Sequence, residues 1–162
     1  MTPSSFIAHC QSLLGEQYVL LDETDKAPYL RDWRNRYQGK ALAILLPKTT
    51  EHVAEIVKAC NQAKVSIVPQ GGNTSMCGAA TPNDSGQQVV INLKRMQSIR
   101  GLDISNQTVV VEAGCILQTL QEAARAQGFL FPLSLGAQGS CQIGGNLATN
   151  AGGTNVLRYG NA

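Results

Sequence analysis

Apolar positions along the chain recur with three spacings. Phe6, Ile7, Cys10, Leu13 and Leu14 repeat every three to four residues, which predicts one buried face of a helix over 4–14, stopped by Gly15. ALAILLP (41–47) is an unbroken apolar run closed by Pro47, the pattern of a strand buried on both faces. After it Thr49 or Thr50 caps a helix with Glu51 in its first turn and Val53, Ile56, Val57 and Cys60 as its buried stripe. VSIVP (65–69) then predicts a second strand, so 41–69 reads as a βαβ unit with parallel strands and a right-handed crossover. Downstream, VVINL (89–93) predicts a strand, and 98–114 two strands joined through SNQ. ILQTLQEAARAQ (116–127) places Ile116, Leu117, Leu120 and Ala124 on one helical face, ending at Gly128. The stretch 22–40, with Tyr29, Trp33, Tyr37 and several cations, reads as short helix and loop, and its charges as a solvated face or a hold on an anionic partner.

Charge narrows the function classes. The 162 residues carry 13 Lys and Arg against 11 Asp and Glu, a net charge of +2, with neither a basic stripe nor an acidic tail, so no nucleic-acid binder is expected. The apolar runs are far shorter than the roughly 18 residues a membrane-spanning helix needs. The N-terminus lacks the charged start of a secretory signal. Five cysteines, Cys10, Cys60, Cys77, Cys115 and Cys141, form no CxxC pair, so neither a disulfide framework nor a metal site is expected, and the thiols point to a reducing compartment, taken as the cytoplasm with membrane-peripheral attachment as a variant. His9 and His52 lie in helical sequence without a second ligand at i+4, and no GxSxG elbow is present, so no catalytic residue is assigned.

Two glycine-rich segments carry the chemistry. QGGNTSMCG (70–78) follows the second strand of the βαβ unit, and ligands in such units bind beyond the carboxyl ends of strands. Gly71 and Gly72 lack Cβ atoms, so successive N–H groups can face one anion, and Asn73, Thr74 and Ser75 add neutral donors. The loop has neither a Walker A ending nor GxGxxG. FPLSLGAQGSCQIGGNLATNAGGTN (131–155) is dense in glycine and nearly uncharged, and its regular Leu, Ile and Phe separate it from a flexible linker.

Together these segments, with ALAILLPKTTEHVAEIV, INLKRM, VVVEAGC and LRYG, resemble the N-terminal part of the FAD-binding domain of the vanillyl-alcohol oxidase type, also called PCMH-type. Within it the likeness is to the FAD-linked D-2-hydroxy-acid dehydrogenases, a group that takes in D-lactate dehydrogenase, glycolate oxidase and D-2-hydroxyglutarate dehydrogenase. The resemblance implies an α+β fold of two subdomains, 41–96 with the βαβ unit and 97–162 truncated, after an N-terminal helix and extension over 1–40; a substrate domain would lie beyond Ala162. It assigns Pro69, Gln70, Gly71, Gly72, Asn73, Thr74 and Gly78 to the FAD pyrophosphate, and Gly139, Ser140, Gly144, Asn146, Thr149, Asn150, Gly152 and Gly153 to the pyrophosphate and flavin ring. Several members hold flavin covalently through a histidine in the first loop. Here Asn73 stands near that place and no histidine occurs between 53 and 162, which implies non-covalent FAD.

The activity so implied is oxidation of a D-2-hydroxy acid (D-lactate, D-2-hydroxyglutarate or glycolate) to the 2-oxo acid when the chain is full length, the 162 residues alone being inactive. Electrons would pass to a quinone, an electron-transfer flavoprotein or a similar acceptor, and a homo-oligomer is compatible. The alternatives are a non-catalytic FAD- or dinucleotide-binding module or subunit, and a superfamily oxidase of a different alcohol.

Overall fold

A computed structural model describes residues 2–162, and the chain divides into two compact units, one ending at Arg95 and the other spanning Met96–Ala162. The first begins with helix α1 (Pro3–Leu14), where Thr2 Oγ1 accepts the N–H of Ser5 and Gly15, at φ +92°, stops the helix. Strand β1 (Val19–Leu20), the short helix α2 (Glu23–Lys26) and a single turn over Ala27–Tyr29 lead to β2 (Ala43–Leu45). Helix α3 (Thr50–Ala63), capped by Thr49, crosses to β3 (Ser66–Gln70), and β4 (Gln88–Asn92) completes the sheet.

The strand order is β1-β2-β4-β3, with β2, β4 and β3 parallel and β1 antiparallel at the edge. The βαβ strands are therefore parallel but not neighbours, because β4 inserts between them. Side chains alternate across the sheet as strand geometry requires. Ala43, Leu45, Val89 and Ile91 face α1 and α3, meeting Phe6, Cys10, Ile56 and Cys60, while Ile44, Leu46, Val68 and Val90 pack against Leu30 and Ala41. Each fully buried Leu, Ile or Phe contributes about 1.5–3 kcal/mol of transfer free energy.

The α3 stripe differs from the expected one: Val57 is 45% exposed, and Ala59 is buried in its place. At about 100° per residue, Ala59, Ala63, Ile56, Cys60 and Val53 fall within one arc, and Val57 lies outside it.

The second unit opens with the antiparallel hairpin β5 (Ile99–Asp103) and β6 (Thr108–Val111), irregular between Ile99 and Gly101. Helix α4 (Leu117–Ala126) has no side-chain cap. Its first N–H groups donate instead to backbone carbonyls of the glycine-rich segment, Leu117 to Cys141 and Gln118 to Gln138. That segment also contains a short helix, α5 (Ile143–Ala148), which the sequence pattern does not predict, and α6 (Val156–Tyr159) follows. Cys115, Leu117, Leu120, Leu133, Cys141 and Ile143 form the core.

Candidate functional site

The first loop leaves the carboxyl end of β3, held there by paired amides. Gln70, 2% exposed, donates from Nε2 to the carbonyls of Tyr29 at 2.9 Å and Ala80 at 2.8 Å, and its Oε1 accepts from Asn92 Nδ2 at 3.0 Å. Asn92, its register partner on β4, also donates to the Gly71 carbonyl at 3.0 Å. The Gln70 side chain is thus committed to tying the loop's two ends together, and its carbonyl accepts the Leu93 N–H at 3.1 Å, so Gln70 shapes the loop from the end of the sheet. Asn92 is absent from the sequence-based site, though a polar residue closing an apolar strand is the signal that could have found it.

Beyond Gln70 the backbone is open. Among the described residues, the N–H groups of Gly71, Gly72, Asn73, Thr74 and Ser75 donate to no protein acceptor, so five consecutive donors remain for an anion. Asn73 has a left-handed φ of +53°, which turns the chain there; its Nδ2 donates to the Arg31 carbonyl at 2.7 Å, and its buried Oδ1 has no partner. Gly78, at φ +71°, lies against the Tyr37 ring, whose Cγ would be 2.7 Å from any Cβ. Pro69 is exposed, and Thr74 makes no side-chain hydrogen bond.

In the second unit the predicted residues divide by role. A Cβ on Gly144 would stand 2.7 Å from the Ala113 Cβ, and one on Gly153, at φ +72°, would stand 2.1 Å from the Ser134 carbonyl oxygen, so internal packing alone demands glycine at both. Asn146 is buried and donates to Cys141 Sγ at 3.6 Å; Thr149 Oγ1 donates to the Gly145 carbonyl at 2.8 Å; Asn150 adopts φ +53°. Gly152 is crowded by Asn161 Oδ1. Gly139 and Ser140 are exposed, the latter without a side-chain partner. Gly136 and Gly145, which lie outside the sequence-based site, have nothing within 4 Å of a would-be Cβ. Gln142 is buried with Oε1 unpartnered.

In the first unit the open backbone donors suit the anionic diphosphate of a dinucleotide, and in the second the uncharged loop suits a ring whose charge changes on reduction. Among the described residues no cluster of three His, Cys, Asp or Glu could hold a metal.

A family model described as an FAD binding domain matches residues 41–162. The chain belongs to the FAD binding domain family. It is 40% identical over 157 residues to the mitochondrial D-2-hydroxyglutarate dehydrogenase of Arabidopsis thaliana, covering 97% of this chain and 28% of the relative. It is 39% identical over 142 residues to the mitochondrial enzyme of that name from Bos taurus, covering 88% and 26%. The solved structure of an alkyldihydroxyacetonephosphate synthase superposes with a TM-score of 0.88 at 21% identity, over 98% of this chain and 31% of that one, and shows a shared fold. The chain spans less than a third of the length of these proteins.

The fold is the α+β, PCMH-type FAD-binding fold, and FAD is the cofactor of this FAD binding domain. One expectation is overturned. Relatives of this domain are mitochondrial by name, against the cytoplasmic reading. Free thiols separate reducing from oxidising compartments and do not distinguish one reducing compartment from another, so the cysteine count could not carry that choice. No helix among the described residues is long and apolar enough to cross a membrane.

Proposed function

We propose that this domain binds FAD non-covalently in a full-length oxidoreductase that converts a D-2-hydroxy acid to its 2-oxo acid, D-2-hydroxyglutarate before D-lactate or glycolate. The observation that carries the cofactor half is the run of five unpaired N–H groups from Gly71 to Ser75 at the carboxyl end of β3. The substrate half is supported by the named relatives near 40% identity.

In this reading Gly71, Gly72, Asn73 and Thr74 hold the diphosphate mainly through backbone N–H groups, while Pro69, Gln70 and Gly78 shape the loop that presents them. Gly139, Ser140, Gly144, Asn146, Thr149, Asn150, Gly152 and Gly153 shape the second loop for the remainder of the cofactor. Bound FAD supplies the two-electron acceptor for the hydride that leaves the substrate carbon. The chain's own part is to fix the cofactor without placing a formal charge beside it, since neither loop contains Asp, Glu, Lys or Arg. The electron acceptor that reoxidises the flavin lies outside this domain.

The test is the visible spectrum of the full protein without oxygen, before and after each acid. Bleaching by D-2-hydroxyglutarate supports the reading. A flavin spectrum unmoved by any D-2-hydroxy acid overturns the substrate class, and a protein that stays colourless with added FAD overturns the cofactor site.

A further inference from the structure

We propose that Asp32 is a positioning residue for the cofactor, acting through a folded turn over 31–38 that clamps the first glycine loop. The proposal rests on the reading that residues 69–78 hold FAD.

The turn is built around one carboxylate. Asp32 is 2% exposed, yet among the described residues its side chain pairs with no cation. Its oxygens accept backbone N–H groups, Oδ1 from Arg36 at 2.7 Å and Tyr37 at 2.8 Å, and Oδ2 from Arg34 at 3.2 Å. The backbone closes the same ring: Asp32 N donates to the Tyr37 carbonyl and Asn35 N to the Asp32 carbonyl, both at 3.0 Å, with Asn35 left-handed at φ +54°. Arg31 and Gln38 bridge across the turn. A charged group spent wholly on its own backbone fixes a shape, and the shape has an object.

That object is the glycine loop. The Arg31 carbonyl, next to Asp32, accepts from Asn73 Nδ2 at 2.7 Å. Tyr37, whose N–H the carboxylate holds, lays its ring against Gly78, where no Cβ fits. Thus one contact leaves each side of the Asp32 ring: one lands on Asn73, at the middle of the segment whose N–H groups are unpaired, and the other on Gly78, three residues beyond its end. Just outside the ring, Gly39 fits against the Pro82 carbonyl oxygen, 1.9 Å from a would-be Cβ, and Lys40 N donates to the Asn83 carbonyl at 2.9 Å. The exposed cations Arg34 and Arg36 contribute their backbone here, so the charge run of 31–40 is a consequence of solvent exposure and the fold lies beneath it.

A loop of five free donors is costly to hold in one shape without a ligand, and a frame that holds it raises affinity by pre-organisation. If Asp32→Asn leaves about one loop in ten correctly formed, apparent FAD affinity falls about tenfold. The amide keeps the volume but turns a donor toward N–H groups that need acceptors.

The experiment measures FAD dissociation constants on the full protein by flavin fluorescence for Asp32→Asn, Asn73→Ala, their double variant, Tyr37→Ala and Tyr37→Phe, with Gly72→Val as a probe of the loop itself. The proposal expects Asp32→Asn to weaken FAD about tenfold in the parent and by much less in the Asn73→Ala background, because the lever is already cut. It expects Tyr37→Ala to weaken FAD and Tyr37→Phe, which keeps the ring, to restore it. General loss of stability would instead give additive effects, and additivity overturns the proposal. If Gly72→Val weakens FAD while Asp32→Asn does not, the clamp is wrong and the loop reading stands. If Gly72→Val leaves FAD binding intact in a protein that melts like the parent, the loop reading fails and the clamp with it.

Discussion

Glycine is ambiguous at the residue scale, because close packing within the protein and close approach of a ligand both select it. The would-be Cβ contacts separate the two. Gly153 combines φ +72° with a contact of 2.1 Å to a backbone oxygen, which no side-chain rotation relieves. Gly153→Ala is therefore expected to destabilise the second unit by about 1–3 kcal/mol from backbone strain, and further from the clash, read as a lower urea midpoint. Gly145 is helical, exposed and open, so Gly145→Ala is expected to stabilise the unit by about 0.5–1 kcal/mol, read as a higher urea midpoint. Its glycine then has no reason inside the fold, and the same variant is expected to weaken FAD. A Gly145→Ala protein that is more stable and binds FAD like the parent would leave α5 without a part in the site.

At the element scale, the α1–α3 layer carries two thiols whose titration reports on packing. Burial pushes the Cys10 thiol up to about 12, helped by the neighbouring Cys60, and burial pushes Cys60 up to about 11, from an ordinary value of 9.0. The unfolded chain releases both protons above pH 9 while the folded one keeps them, so the unfolded state binds fewer protons and stability falls as pH rises. The contribution is complete below pH 9 and is lost toward about 11 for Cys60 and about 12 for Cys10. Each thiol steepens the fall by up to about 1.4 kcal/mol per pH unit. Urea midpoints between pH 8 and 11 are expected to drop less steeply in Cys10→Ala, despite its lower starting stability; an unchanged slope would place the thiol in contact with water. The same layer shows what the sequence made legible. Helix α3, its Thr49 cap and β2 follow from local pattern, but the edge of a stripe depends on which neighbour the helix meets. Ile56→Ala is expected to cost about 2–5 kcal/mol and Val57→Ala within about 0.5 kcal/mol by urea denaturation, although periodicity alone weights the two equally. Strand order was not legible either, since β4 enters between β2 and β3 by pairing across residues distant in sequence. The first loop's letters were readable, whereas Asp32, hidden in a charged run, becomes a structural centre only once its backbone partners are placed.

For the whole molecule, the mode of cofactor attachment follows from an inventory of nucleophiles. A covalent bond to the flavin needs a side chain that can attack the ring system, and the resemblance places a histidine for this in the first loop. Asn73 stands there instead, an amide without nucleophilic character whose nitrogen is engaged with the Arg31 carbonyl. No histidine occurs from 53 to 162. Hydroxyls aside, the nucleophile on that loop is Cys77, which is exposed and free. The resemblance gives the covalent link to a histidine and not to a thiol at this place. FAD is therefore expected to be released when the full protein is precipitated with acid, leaving a yellow supernatant and a colourless pellet, and the Cys77→Ser variant is expected to behave identically. Colour retained in the parent pellet and lost in Cys77→Ser would identify a thioether in place of a dissociable cofactor. Release also fits the proposed hold: its donors would be neutral backbone N–H groups dependent on the folded loop, so unfolding would abolish the site that retains the flavin.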